Sequence, residues 1–107
     1  MDFSRLEILA QDDKDLVTTL VGIFMEQGPE FITEIERLLG EKDGEALKKE
    51  AHSLKGVCLN LGLDDLAAIC KEVEGYALAE DFSSVKTGIT QLKNDMPVVL
   101  EALKKFL

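Results

Sequence analysis

Apolar residues recur with a helical period along almost the whole chain, and this pattern constrains the fold more than any other feature. Leucine, isoleucine, valine and phenylalanine side chains stand three or four residues apart, the spacing that keeps them on one face of a helix. No stretch alternates apolar and polar residues as a half-buried strand would. The sequence therefore predicts an all-α protein whose helices pack their apolar faces together.

One short N-terminal helix near Ser4–Ala10 and four long amphipathic helices account for this periodicity. The predicted apolar stripes are Leu16, Leu20, Phe24, Phe31, Ile35 and Leu38; Leu47, Ala51, Leu54, Cys58 and Leu61; Leu63, Leu66, Cys70, Val73 and Ala77; and Phe82, Val85, Ile89, Leu92, Met96, Val99, Leu103 and Phe106. Short turns such as Glu41–Gly44 favour antiparallel neighbours. We expect an antiparallel up-down-up-down four-helix bundle with a short extra N-terminal helix, a single domain over residues 1–107.

Helix ends and helix breakers can also be placed. Asp13 and Asp81 suit N-caps, and Gly62 suits the left-handed residue that closes a helix. Gly28–Pro29 predicts a kink in the first long helix, or two helices nearly in line, and Pro97 predicts a bend or a break in the last.

The charge of the chain limits its partners. A formal net charge of −9 argues against nucleic acid and favours basic partner surfaces. No apolar run is long enough to cross a membrane and no signal peptide is evident, so we expect a cytoplasmic protein that does not bind membranes. The two cysteines, Cys58 and Cys70, form no CxxC pair and fit small core residues, with a disulfide or a metal site as the alternative.

The only histidine, His52, falls on the outer face of its helix. On a wheel of about 100° per residue, it lies about 140° from the centre of the stripe that contains Leu54 and Cys58. The residues on its side of the helix are Lys48, Lys49, Lys55, Gly56 and Leu59. The lysines form a positive patch around an accessible imidazole on an acidic protein.

Gly56 follows His52 by one helical turn. A glycine inside a helix costs about 1 kcal/mol relative to alanine, so it calls for an explanation. Either close helix packing or the approach of a partner would supply one. With the imidazole and the lysines beside it, clearance favours a nucleophilic nitrogen that takes up an anionic group. A solvated histidine on a solvated lysine face is the alternative.

A longer motif surrounds His52, and its residues are Ala51, His52, Leu54, Lys55, Gly56, Gly62, Leu66, Cys70 and Glu74. This motif resembles the signature of histidine-containing phosphotransfer (HPt) domains of bacterial and fungal phosphorelays. The segment Phe24–Phe31 resembles the one these domains carry between their first long helices, so the resemblance covers essentially the whole chain. Val57, Cys58 and Asn60 depart from the small or apolar residues common at these positions, but they lie off the histidine face or on the core stripe.

The resemblance implies a role for each matched residue. His52 would accept the phosphoryl group on its outer ring nitrogen, Lys55 would help to neutralise it, and Gly56 would let a partner's active site close over the imidazole. Glu74 falls where family members commonly hold a Glu or Gln that bonds the inner ring nitrogen. Such a bond would leave the lone pair of the outer nitrogen free to attack. A solvated glutamate is the alternative.

The function expected from the resemblance is that of a phosphocarrier between response-regulator receiver domains, fed by a sensor or hybrid histidine kinase. It would have no kinase or ATP site and no cofactor or metal of its own, because the receiver would hold the Mg²⁺. We expect a monomer, and Met1 with the lack of a linker tail favours a stand-alone protein. The residues expected to form the docking surface are Leu59, Lys48, Lys49, Leu6 and Leu9.

Two other functions are possible from the residues. A helical adaptor would bind receivers without phosphotransfer. A metal or haem bundle is disfavoured, because one histidine and two core cysteines supply no converging ligand set.

Overall fold

The computed structural model describes residues 2–107, and nearly all of them are helical. The elements are α1 (Ser4–Asp12), α2 (Lys14–Glu41), α3 (Gly44–Asn60), α4 (Asp64–Leu78) and α5 (Phe82–Leu103), followed by a 3₁₀ turn, Lys104–Phe106. Residues 2–107 include no strand, and no helix among them is long and apolar enough to span a membrane. The all-α prediction is confirmed.

The four long helices form a bundle in which each packs against two neighbours. α2 and α4 each contact both α3 and α5, and α1 packs against α2. Connections of a few residues make consecutive helices antiparallel. The predicted up-down-up-down bundle with an extra N-terminal helix is therefore confirmed.

Three of the helices begin with the same aspartate cap. The carboxylates of Asp13, Asp43 and Asp81 accept hydrogen bonds from the backbone N–H three residues further on, at 3.0, 3.1 and 3.2 Å. A cap of this kind stabilises a helix by about 1 kcal/mol. These caps fix where α2, α3 and α5 start, and two of them, at Asp13 and Asp81, were predicted.

Three of the helices also end alike, with a residue in the left-handed conformation. Lys42, Gly62 and Glu80 follow α2, α3 and α4 with φ of 53°, 72° and 57°. After each, the next N–H donates to the carbonyl five residues earlier, at 3.3, 2.8 and 2.9 Å. This is the Schellman arrangement, which satisfies carbonyls that the helix end would leave unpaired. The left-handed conformation predicted for Gly62 is confirmed.

Neither proline ends its helix. α2 continues through Pro29, and α5 continues through Pro97 as far as Leu103. Both prolines are exposed, so the helix side that loses an amide donor is the side that water can reach. The alternative of two separate helices, and of a break at Pro97, is wrong.

The apolar stripe of α2 differs from the prediction in its first two turns, and again at Phe31, which is only partly buried while Ile32 is buried. In the first two turns Val17 and Val21 are buried, whereas Leu16 is 42% exposed and Leu20 only partly buried. Both pairs precede Phe24 at helical spacing, so the period alone admits either phase.

Candidate functional site

His52 projects from the outer face of α3, with 69% of its side chain exposed. Its Nδ1 lies 2.9 Å from Oε1 of Glu74 on α4. Lys55 Nζ donates to the same carboxylate at 3.1 Å. Only 15% of the Glu74 side chain is exposed, so the carboxylate sits between the two helices rather than in open solvent. One acidic group on α4 therefore contacts two side chains of α3, those of His52 and Lys55.

The bond to Glu74 determines which ring nitrogen of a neutral His52 can act as a nucleophile. An ionised carboxylate only accepts hydrogen bonds, so Nδ1 carries the proton and donates it. The lone pair is then on Nε2, the ring nitrogen further from the helix. This arrangement fits attack by Nε2 on an electrophile that arrives from solvent.

Gly56 leaves open space beside His52. No heavy atom lies within 4 Å of the place where a Cβ would stand. Packing glycines look different: at Gly44 a Cβ would lie 2.7 Å from the carbonyl oxygen of Ala77, and at Gly88 it would lie 2.6 Å from Cγ2 of Val73. Close packing of helices therefore does not explain Gly56.

The two cysteines lie in the core, as predicted. Cys58 on α3 and Cys70 on α4 are fully buried and free. A hydrogen bond with Cys58 and burial raise the pKa of the Cys70 thiol well above its ordinary value. A thiol that keeps its proton is a poor nucleophile, so this pair contributes packing at the α3–α4 interface rather than chemistry.

The residues expected to contact a partner are not all at the surface. Leu59 is exposed on α3, as are Lys48 and Lys49. Leu9 is partly buried against the core. The expectation that Leu6 is exposed is wrong: only 1% of Leu6 is accessible, because this side chain anchors α1 in the core.

The sequence analysis did not identify two features of α1, the exposure of Ile8 and the contact that Arg5 makes with α3. Ile8 is 64% exposed, since it stands about 200° around the helix from the buried Leu6. Arg5 reaches across to α3, where its Nη1 donates to the carbonyl of Leu59 at 3.0 Å. The spacing of the buried Phe3 and Leu6 could have indicated the outward face of α1, but no sequence pattern indicates the partner of Arg5.

Residues 2–107 include no group of three or more histidine, cysteine, aspartate or glutamate side chains that could hold a metal ion.

Residues 19–104 match the sequence model of the Hpt domain. This chain belongs to the Hpt domain family. The match includes His52, Lys55, Gly56 and Glu74, and it leaves out α1.

Two curated relatives are phosphorelay proteins of fungi. The chain is 29% identical over 99 residues to the phosphorelay intermediate protein YPD1 of Candida albicans, covering 92% of this Hpt domain and 54% of the relative. It is 24% identical over 102 residues to the multistep phosphorelay regulator 1 of Schizosaccharomyces pombe, covering 95% of this chain and 33% of that one. The chain thus spans about half of the first relative and a third of the second.

A bacterial Hpt protein has the same fold along almost its entire length. The crystal structure of histidine-containing phosphotransfer protein B (HptB) from Pseudomonas aeruginosa superposes with a TM-score of 0.91 at 28% sequence identity. The superposition covers 98% of this chain and 91% of HptB. Its coverage of this chain is wider than that of the family match, which begins at residue 19.

Proposed function

We propose that this Hpt domain is a histidine phosphocarrier in a multistep phosphorelay. It accepts a phosphoryl group on Nε2 of His52 from an aspartyl phosphate of a receiver domain, and it passes the group to another receiver. The observation that carries the proposal is the 2.9 Å contact between His52 Nδ1 and Glu74, which directs the lone pair of an exposed imidazole outward. Membership of the Hpt family and the phosphorelay relatives support the same conclusion.

The transfer step follows from this geometry. The Nε2 lone pair attacks phosphorus, a nitrogen–phosphorus bond forms, and the oxygen–phosphorus bond to the receiver's aspartate breaks, with the carboxylate as leaving group. Nδ1 keeps its proton, so the ring gains positive charge as the bond forms. The Glu74 carboxylate stabilises that charge. Lys55, already at the site, offsets the charge of the phosphoryl oxygens.

The receiver supplies the remaining parts of the reaction. Its acidic pocket holds the Mg²⁺ that the transfer needs, and Gly56 leaves room for that pocket to close over His52. Leu59 gives the receiver an apolar contact on the same helix face, and Lys48 and Lys49 add positive charge nearby. In this proposal the chain has no ATP site. A sensor or hybrid histidine kinase phosphorylates a receiver domain, and that receiver passes the phosphoryl group to this chain. We further propose that it acts as a cytoplasmic monomer that binds neither membranes nor nucleic acid.

The decisive variant is His52→Gln, which keeps a polar side chain of similar size but removes the nucleophile. We expect wild-type protein to take up radiolabelled phosphate from a phosphorylated receiver, in an acid-labile form that is typical of phosphohistidine. His52→Gln takes up none, yet binds the receiver with nearly unchanged affinity by calorimetry. Ser53→Ala, an exposed neighbour on the same helix, serves as the matched control and transfers normally.

Two results would contradict the proposal. Label that survives in His52→Gln, or that resists acid in the wild type, would place the phosphoryl group on another residue. A wild-type protein that binds receivers but takes up no label from any phosphorylated receiver tested would instead be an adaptor.

A further inference from the structure

Arg5 connects α1 to the end of the helix that carries His52. Its Nη1 donates to the carbonyl of Leu59, which also accepts the N–H of Gly62 at 3.1 Å. The contact joins residues 54 positions apart in the chain. It is therefore a tertiary bond between α1 and α3, in which Arg5 lies outside the segment that matches the Hpt family and Leu59 lies within it.

The charge of Arg5 suits the place where it binds. The carbonyls at the C-terminus of a helix carry partial negative charge, which a nearby cation stabilises. The last turn of α3 contains no basic residue of its own. Arg5 supplies that charge from another helix, and a hydrogen bond to a charged group is stronger than a neutral one.

The glycine at position 62 shows how closely α1 approaches. Two of the three left-handed helix ends carry side chains, on Lys42 and Glu80, so the turn itself does not demand glycine. At Gly62, however, a Cβ would lie 2.9 Å from Cβ and 3.2 Å from Cδ of Arg5. Glycine stands at the one turn of the three where the stem of Arg5 occupies the space that a side chain would need.

A second set of contacts holds α1 to the C-terminal 3₁₀ turn. Lys105 Nζ pairs with Glu7 at 3.0 Å and lies 5.1 and 5.2 Å from the ring centres of Phe3 and Phe106. These contacts join α1 to the end of α5. Arg5 joins α1 to α3, the helix that presents His52.

We infer that Arg5 is a positioning residue for receiver docking, an inference that rests on the proposed phosphocarrier function. Leu59 stands two turns from His52 on the same face of α3, and Arg5 binds the backbone of Leu59. Ile8 lies one turn along α1 from Arg5 and is exposed. Arg5 therefore fixes α1, the helix that carries the exposed Ile8, against the end of the helix that presents His52, so that one receiver can contact both helices.

The test separates docking from chemistry at His52. Arg5→Met keeps the apolar stem over Gly62 and removes the guanidinium, and Arg5→Lys keeps a cationic donor. Arg37→Ala removes the same side-chain charge from an exposed site on α2 and is the matched control. Each variant is assayed for KM and kcat with a phosphorylated receiver. Each is also labelled with phosphoramidate, a small donor that transfers its phosphoryl group to imidazole and releases ammonia.

We expect Arg5→Met to raise the KM for the receiver about five- to ten-fold, with little change in kcat or in phosphoramidate labelling, and with faster hydrogen exchange at the Gly62 amide. Arg5→Lys recovers most of the affinity, and Arg37→Ala changes neither constant. An unchanged KM in Arg5→Met would overturn the inference, as would equal losses in receiver-dependent transfer and phosphoramidate labelling. Failure of the wild type to accept phosphate from any receiver would instead refute the phosphocarrier function itself.

Discussion

Glu74 on α4 contacts the inner ring nitrogen of His52: its carboxylate lies 2.9 Å from Nδ1, while most of the imidazole ring is exposed to solvent. The same carboxylate binds Lys55. Glu74 itself is mostly buried, with 15% of its side chain exposed, whereas the imidazole that it contacts is 69% exposed. The tautomer of His52 and the position of Lys55 thus depend on one side chain of the neighbouring helix.

Replacing Glu74 tests this dependence. Glu74→Ala removes the acceptor for Nδ1–H, so we expect the neutral ring to populate the tautomer with the proton on Nε2. Transfer should slow about three- to ten-fold, the range that corresponds to one lost hydrogen bond. Glu74→Gln keeps an acceptor oxygen and should retain the Nδ1–H tautomer. Nitrogen-15 NMR of the imidazole reports the tautomer directly; an unchanged spectrum in Glu74→Ala would show that Glu74 does not set it.

Gly56→Ala should separate stability from function. The added methyl group meets nothing within 4 Å, so the variant should gain up to about 1 kcal/mol in the free energy of unfolding. Transfer from a receiver should fall about ten-fold or more, because the methyl fills space that the receiver needs. Urea unfolding and receiver-dependent transfer measure the two effects.

Gly22→Ala is the matched control for Gly56→Ala, since Gly22 also stands inside a helix with open space around its Cβ position. It should gain stability and transfer normally. If both variants transferred equally well, Gly56 would have no part in receiver approach.

Replacing Lys42 or Glu80 with glycine should remove the backbone strain of their left-handed conformation. A residue with a Cβ pays about 1–2 kcal/mol in this conformation, which glycine avoids. Part of that gain is offset by the greater freedom of glycine in the unfolded chain. We expect Glu80→Gly to raise the free energy of unfolding by about 0.5–1 kcal/mol in chemical denaturation. Gly62→Ala should change it in the opposite direction, because it adds strain and a clash with Arg5; equal effects of the two would contradict this account.

Because Cys70 is buried, we expect the free energy of unfolding to fall in alkaline solution. Its pKa in the fold is raised, by the hydrogen bond with Cys58 and by burial, above the ordinary value of 9.0. Below 9.0 both states hold the proton, and the thiol leaves stability independent of pH. Above it the unfolded chain releases the proton while the folded chain retains it, so the free energy of unfolding falls by about 1.4 kcal/mol per pH unit.

Urea denaturation between pH 8 and 10 measures this slope. Cys70→Ala, which is less stable at every pH because it leaves a cavity, should lose this part of the slope. A wild-type slope that matches the variant would mean that Cys70 does not titrate differently in the two states.

The sequence predicted the bundle and the orientation of His52 for the same physical reason. Helical periodicity shows which face of each helix is buried. The opposite face is then the exposed one, and on α3 that is the face where His52 lies. Periodicity does not fix the phase where two apolar residues adjoin, as at Leu16 and Val17, so α2 was predicted one residue out of register at its start. Leu6 was wrongly predicted to be exposed, because the face that a short helix buries depends on how the helix crosses the bundle. Arg5 could not be found, since its contact joins helices whose approach no local pattern encodes.

The edge-to-face pair of Phe3 and Phe106, with ring centres 5.9 Å apart, brings the two ends of the described chain together at one corner of the bundle. A connector of a few residues could close the backbone into a circle, and new ends could be cut at the exposed turn of Lys42 and Asp43. For the same reason the whole domain could be grafted into a surface loop of a host protein with little separation of the loop's ends. The backbone that carries His52, Lys55 and Glu74 would stay uninterrupted in either case, because neither change falls within α3 or α4.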